Sequence, residues 1–376
     1  MKRRNSNGKG NRPTEAQIQT IVEGARWAPS GDNNQSISFE WDGEKLIVRE
    51  DAERSRAFIN VGNAASQLAL GMCMANIELV AAQKGWATRW TTETQDPVVA
   101  QVRFVALDRS SSTTWDPLLA EAIQKRTVDR RPFYVEQIPL HISADLNEIT
   151  QNTWGIRFYL IDQPSSVIDL ARINSRFESF LIGHKSLHSY LFRWMRWSNK
   201  HVDDTHDGMP LETMGLNFLF KACFRFIAHW HIARLIKIFR FNWIAEVRAR
   251  RVYSRSAAFG AFTIPNTQPL TYVRVGWLWQ RAWLMLTSKG WALQPVMGHA
   301  LMGHLCDHFN GTGLTSAERI QFEKETREMR SVIGISPGQS LSTLFRLGRS
   351  IAPLKSRAPR RRLSDLLTRT GEETRI

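Results

Sequence analysis

Apolar and polar positions first follow a helical period. Residues 13–28 form such a stretch, with Pro13-Thr14 at its start, an apolar pattern from Ile21 to Trp27, and Pro29 to end it. The period then falls to two. Phe39-Glu40-Trp41 and Lys45 to Val48 flank Asp42-Gly43, which predicts a β-hairpin on a type I′ turn. A small-residue helix follows, its apolar run passing from Ala64 through Leu70, Met72, Ile77 and Val80 to Lys84-Gly85-Trp86, a cation and glycine stop. Residues 102–107 read as the next strand and 110–114 as a linker.

The series of elements then starts again. Residues 117–125 are predicted helical, 156–161 a strand, 165–180 a helix, and an apolar helix over 278–286 runs into Lys289-Gly290-Trp291-Ala292. That tetrapeptide repeats Lys84-Gly85-Trp86-Ala87 at a separation of 205 residues (289 − 84), again closing a long apolar helix. An internal duplication accounts for it. Two related halves are expected, 14–110 and 111–367, mimicking a homodimer within one chain, between a basic, disordered tail at 1–13 and a flexible tail at 368–376.

Residues 193–251 have no counterpart in the first half and read as an inserted aromatic and basic arm. It begins at Trp194-Met195-Arg196-Trp197 and passes through His206-Asp207-Gly208-Met209-Pro210, where flanking Gly and Pro suit a lid hinge. From Phe218 to Arg251 the cations Lys221, Arg225, Arg234, Lys237 and Arg240 recur at near-helical spacing among Phe, Trp, Ile and Leu, predicting an amphipathic helix. No run of about 18 residues there is free of charge, so a transmembrane helix is not predicted. A lid packed on the domain, peripheral contact with a membrane and contact with a partner protein are the three readings of this arm.

Composition narrows the class. At 376 residues and 43% hydrophobic content the chain can bury a sizeable core. Its 50 Lys+Arg against 35 Asp+Glu leave +15, favouring anionic partners. No recognisable nucleic-acid motif accompanies that charge, so a specific nucleic-acid partner is not expected. Cys73, Cys223 and Cys306 are widely spaced and form no C-x-x-C pair, which fits a reducing, cytoplasmic setting.

Three segments carry candidate chemistry. Ala28-Pro29-Ser30-Gly31-Asp32-Asn33-Asn34-Gln35 places Ser30, Asn33 and Gln35 on one tight turn in which Gly31 permits a positive φ. It is a ligand-gripping loop or a polar helix-ending turn. Lys125-Arg126-Thr127-Val128-Asp129-Arg130-Arg131-Pro132-Phe133 is a cationic cluster with a hydroxyl, the set that pairs with phosphate. Leu344-Phe345-Arg346-Leu347-Gly348-Arg349 reads as a strand closing in a glycine turn, followed by Arg357 and Arg360-Arg361-Arg362.

The A-P-S-x-x-N-x-Q order resembles the flavin-contacting loop of the FMN-dependent nitroreductase family. The Lys125 to Arg131 cluster is similar to that family's phosphate-holding R-x-S-x-R segment, transposed to the start of the second half, with Asp129 where a basic residue is usual. The closing strand with Gly348, Arg349, Arg360 and Arg361 also looks like the family's own, and residues 206–210 resemble its fused two-repeat branch. The resemblance implies an α+β, nitroreductase-like FMN-binding fold: two related halves forming an intramolecular pseudo-dimer, with antiparallel-rich sheets flanked by helices. It further implies cofactor-binding roles for Pro29, Ser30, Asn33, Gln35, Lys125, Arg126, Thr127, Arg130, Arg131, Gly348, Arg349, Arg360 and Arg361, with either Arg130 or Arg131 facing the flavin.

In homodimers of that family each flavin takes its phosphate contacts from one subunit and its P-S-x-x-N loop from the other. Here the first half holds the loop and the second half the cluster, with Pro265-Asn266-Thr267-Gln268 only a weak echo of the loop, so one FMN per chain is expected. The implied activity is hydride transfer from NAD(P)H through FMN to a nitroaromatic, quinone or similar flat acceptor; a flavin-sequestering protein is the alternative. The chain would act as a monomeric pseudo-dimer or a homodimer. His299, His304 and His308 offer an i, i+4 pair, but helix-capping or core roles suit them better than a metal, and Trp277, Trp279 and Trp283 read as core.

Overall fold

The computed structural model describes residues 12–93, 99–108, 116–151 and 154–370. The linker expected at 110–114 and most of both tails lie outside these residues.

Thr14 opens the first helix, Glu15–Ala25, through a capping box with Gln17. β1 (Ile37–Trp41) and β2 (Lys45–Glu50) form the expected hairpin, but its turn is not type I′. Gly43 alone takes a positive φ, +88°, and the Asp42 carboxylate accepts the N–H groups of Glu44 and Lys45, both at 2.8 Å. A self-capped aspartate loop needs no second left-handed residue. β3 (Trp86–Glu93) starts on the tryptophan of the predicted helix stop, and β4 (Val99–Ala106) pairs between it and β2, giving the antiparallel order β1-β2-β4-β3.

The second half repeats this order. β5 (Arg157–Ile161) is followed by a long connection carrying a parallel pair, β6 (Met195–Arg196) and β7 (Met209–Pro210). β8 (Ala258–Ile264), β9 (Ala292–Pro295) and β10 (Ser340–Gly348) complete an antiparallel sheet ordered β5-β8-β10-β9. In each sheet a 20-residue helix joins the second strand to the third: Ala64–Gln83 in one and Pro269–Ser288 in the other. Both ends of these helices are 205 residues apart (269 − 64 and 288 − 83). β11 (Leu367–Arg369) returns to the first sheet and pairs parallel to β1. Thr368 and Arg369, expected in a flexible tail, therefore lie in a strand.

The two long helices pack against each other at the centre. Ala64–Gln83 is apolar on all sides, so only burial satisfies it. Among the described residues the stretch Val61–Gln83 is long and apolar enough to cross a membrane, and 89% of its most apolar window is buried inside the protein. Close approach of the pair depends on Gly71 and Gly276. A Cβ on Gly71 would come within 1.9 Å of the Val273 carbonyl oxygen, and one on Gly276 within 2.1 Å of the Leu68 carbonyl oxygen. Asn76 is buried in the same layer and accepts the Gln280 amide at 2.8 Å while donating to the Gly24 carbonyl at 3.1 Å.

Two further expectations change. The single amphipathic helix predicted over 218–251 is three helices, Phe218–Ile227, Trp230–Ile238 and Trp243–Tyr253. The second ends because Arg240 takes a left-handed φ of +61° and the Phe241 N–H reaches back to the Ile236 carbonyl at 2.9 Å, a Schellman closure. Gly348 is not a turn glycine. It ends β10 in extended conformation, where a Cβ would lie 2.5 Å from the Phe133 Cβ, so its smallness lets Phe133 dock.

Candidate cofactor site

A cavity of about 720 Å³ lies between the halves, and its wall draws on both. Pro29, Ser30 and Asn33 of the loop, Arg126, Thr127 and Arg130 of the cluster, and Arg360 all line it. So do Trp279 and Trp283, which are as buried as a core reading requires and still face the cavity. The arm roofs it with apolar side chains, among them Phe220, Phe224, Ile236 and Ile244.

The loop differs in detail from its sequence reading. Gly31 is not left-handed; Asp32, Asn33 and Gln35 are, at φ 48°, 55° and 47°. Each such non-glycine residue costs about 1–2 kcal/mol, so surrounding bonds must hold the loop in place. Ser30 Oγ accepts the Gln35 N–H at 2.9 Å. Asn33 Nδ2 donates to the carbonyls of Gly208 (2.8 Å) and Pro359 (3.1 Å), and its Oδ1 accepts from Arg360 at 2.6 Å. Gln35 Nε2 donates to His206 O at 3.1 Å, and its Oε1 accepts the Arg361 N–H at 2.8 Å. The loop thus ties residues 206–208 and 359–361 together. Gln35 is consumed in that role and does not reach the cavity.

The segment 206–210 is likewise a latch. The Asp207 carboxylate pairs with Arg54 and Arg196; burial raises its pKa, but these guanidinium hydrogen bonds outweigh it and the net shift is downward. With Gly208 bonded to Asn33 and Met209-Pro210 held in β7, this is a fastened point in place of the expected hinge.

Of the predicted basic residues, the structure gathers two around Trp27, Arg126 and Arg360, and places Arg357 beside them. Arg126 is 2% exposed. Its Nη2 donates to the Trp27 carbonyl at 3.0 Å, its guanidinium lies 4.5 Å from the Trp283 ring centroid, and its buried Nε has no partner. Arg360 donates to the same carbonyl at 3.4 Å, stands 5.3 Å from the Trp27 ring, and also has a buried Nε without a partner. Arg357 stacks 5.2 Å from that ring. No carboxylate pairs with any of the three among the described residues. Burial, then Arg357 and Arg26, push Arg360 down to about 9; burial, then Arg360 and Arg357, lower Arg126 as well.

Several of the other predicted residues are paired elsewhere in the fold. Lys125 is exposed beside Glu121 at 4.0 Å. Arg131 grips the fully buried Asp129 at 2.8 Å and donates to the Pro353 carbonyl at 3.3 Å, so the acidic residue in the cluster anchors the C-terminal segment. Arg349 pairs with Glu136 at 3.3 Å over Trp291, and the Arg361 side chain donates to the Asp365 carbonyl at 3.1 Å. Arg130, and not Arg131, faces the cavity, where Thr213 O (3.4 Å) and the Met209 sulfur (3.2 Å) are its neutral partners.

Sequence reading missed the acids opposite Arg130. Asp32 lines the cavity, and burial lifts it to about 6, with Arg130 lowering and Glu178 raising it. Glu178 accepts the Tyr253 hydroxyl at 2.6 Å and is raised chiefly by burial. Asp32 lies within the loop at residues 28–35; Glu178 and Tyr253 lie in unremarkable helical stretches without a motif. His299 and His304 hold different partners, Glu325 at 2.8 Å and Tyr272 at 3.0 Å, and Asn266 Oδ1 accepts the Gln268 N–H at 3.1 Å and the Thr271 hydroxyl at 2.8 Å just ahead of the helix Pro269–Ser288.

No family model and no curated protein matches the chain in sequence. Among solved structures it is similar to iodotyrosine deiodinase bound to FMN and 3-iodo-L-tyrosine, at 14% identity over 65% of this chain and 95% of that one, TM-score 0.34. It is also similar to an FMN-dependent nitroreductase from Mycobacterium smegmatis in complex with NADPH, at 16% identity over 65% and 95%, TM-score 0.34. A third is an FMN and NADPH-dependent nitroreductase from a Sphigopyxis strain, at 15% identity over 66% and 96%, TM-score 0.36.

Proposed function

We propose that the cavity holds one FMN per chain and that the protein is an FMN-dependent oxidoreductase, passing hydride from NAD(P)H to a nitroaromatic, quinone or similar flat acceptor. The observation that carries this reading is the group Arg126, Arg357 and Arg360. Like charges gathered on one tryptophan, with two buried Nε atoms lacking partners, are costly unless an anion joins them. A phosphate monoester fits that need, since guanidinium forks match its oxygens. Thr127 offers a hydroxyl beside them. We read the matching sheet orders and the reciprocal glycine contact as a duplicated, pseudo-dimeric chain in which only one of two related sites kept its parts.

Bound FMN would supply the hydride chemistry. The chain's own groups position and tune it. Arg130 forms no ion pair within 4.0 Å among the described residues and faces Asp32 and Glu178 across the cavity, and the Asp32 carboxyl can hold or release a proton there near neutral pH. The arm's roof presents apolar side chains to the cavity, which disfavours water beside them. That same roof favours the second reading, a sequestered flavin with little turnover.

Adding FMN to the purified protein and then reducing it anaerobically with NADH or NADPH tests this. A one-to-one yellow complex that bleaches and is reoxidised by a nitroaromatic or quinone is expected. Retention without bleaching selects sequestration, two flavins per chain would refute the single site, and no uptake would end both readings.

A further inference from the structure

The arm has a second face. Of the twenty large hydrophobic side chains exposed among the described residues, ten fall within residues 218–247. Phe218 is 89% exposed, Leu219 67%, Phe239 65% and Ile238 60%. Residues 218–251 also carry eight Lys or Arg against one acid, Glu246. Arg234, Arg240, Arg250 and Arg251 are exposed and form no ion pair among the described residues. Such a density of solvated aromatics beside unpaired cations marks an interaction surface.

We propose that this face docks the protein on an anionic phospholipid bilayer. Charge decides the occupant. A second copy would set one cationic arm against another, in a chain already at +15. An anionic headgroup layer complements it, and a fluid interface accepts scattered Phe, Leu and Ile from three short helices without a matching groove. Each cation near such a surface strengthens binding roughly fivefold. The same helices line the cavity from within through Phe224, Ile236 and Ile244, so a single layer of helix separates cavity from lipid. The proposal stands apart from the flavin reading, because lipid contact requires nothing of the cavity.

Co-sedimentation of the full chain with vesicles tests it, comparing phosphatidylcholine alone with a mixture containing about one third phosphatidylglycerol. Binding to the anionic vesicles, reduced by high salt, is expected. The quadruple variant Phe218→Ser, Phe239→Ser, Arg234→Glu, Arg240→Glu should lose at least tenfold in bound fraction, with the thermal midpoint and FMN retention unchanged, since these exposed side chains lie outside the cavity lining. Absence of binding to both vesicles, or equal binding by the variant, would overturn the proposal. So would light scattering that shows an arm-dependent dimer in place of vesicle binding.

Discussion

Gly71 and Gly276 make the same contact in opposite directions, each lying against a carbonyl of the other's helix, Val273 and Leu68 respectively. The two pairs, 68/71 and 273/276, are 205 residues apart, as the Lys-Gly-Trp-Ala repeats are. Because backbone and not a flexible side chain stands in the way, Gly71→Ala or Gly276→Ala must push the helices apart, at about 3 kcal/mol each. Gly85→Ala meets nothing within 4 Å and suffers only from its φ of +83°, at about 1–2 kcal/mol. Urea unfolding of the three variants checks the ranking; equal small losses would contradict the close crossing.

Arg126→Met should weaken FMN binding about tenfold to a hundredfold, the worth of one charge-assisted phosphate contact. Its effect on the flavin-free protein has the opposite sense, since deleting a buried, unpaired cation leaves the thermal midpoint unchanged or raised. Arg360→Met should weaken FMN similarly while lowering stability, because Asn33 Oδ1 loses its donor. Fluorescence titration and flavin-free melting curves separate the two roles.

Asp32 gives stability a pH signature. Burial raises its folded pKa to about 6, above the ordinary 3.8, so the fold disfavours the charged form. The penalty is absent below about pH 4, grows between 4 and 6, and is complete above 6, at of order 2–3 kcal/mol. Asp32→Asn removes it. The stability advantage of the variant should widen from pH 4 to 7 in denaturation series; a constant difference would mean an unshifted carboxyl.

Asp129 has the reverse sign. Burial raises its pKa, but hydrogen bonds from Arg131 and Ser350 outweigh that and hold it below 3.8. Its contribution is present above about pH 4 and lost as pH falls through the lowered value. Asp129→Ala removes the hydrogen bonds that Arg131 and Ser350 make to it and should cost about 1–3 kcal/mol. It should also open residues after 350 to limited proteolysis, since Arg131 holds the Pro353 carbonyl.

Regular elements were legible where period and punctuation coincided. The helix Ala64–Gln83 and the β1–β2 hairpin follow from apolar spacing bounded by Gly85 and Gly43. β8 was missed because it is buried on both faces and shows no alternation. Ser30, Arg126 and Arg360, singled out by residue type, line one cavity, but their neighbours did not separate by type. Gln35, Arg131 and Arg361 have the chemistry of ligand contacts and are spent on the backbone of other segments, a distinction only long-range pairing makes. Arg357 drew attention only as one of several basic residues near the C-terminus. Its place beside Arg126 depends on how the chain returns.

That return sets the order in which the protein can become functional. The Trp27 carbonyl receives one arginine from residue 126 and another from residue 360, so in a nascent chain the proposed anion site would be incomplete until Arg360 has left the ribosome. Until then Arg126 has no Arg360 beside it, and bringing the two together closes a long loop at an entropic cost that grows only slowly with its length. Cofactor capture would then act as proofreading: a chain truncated before Arg357 stays colourless, however well its first sheet has formed.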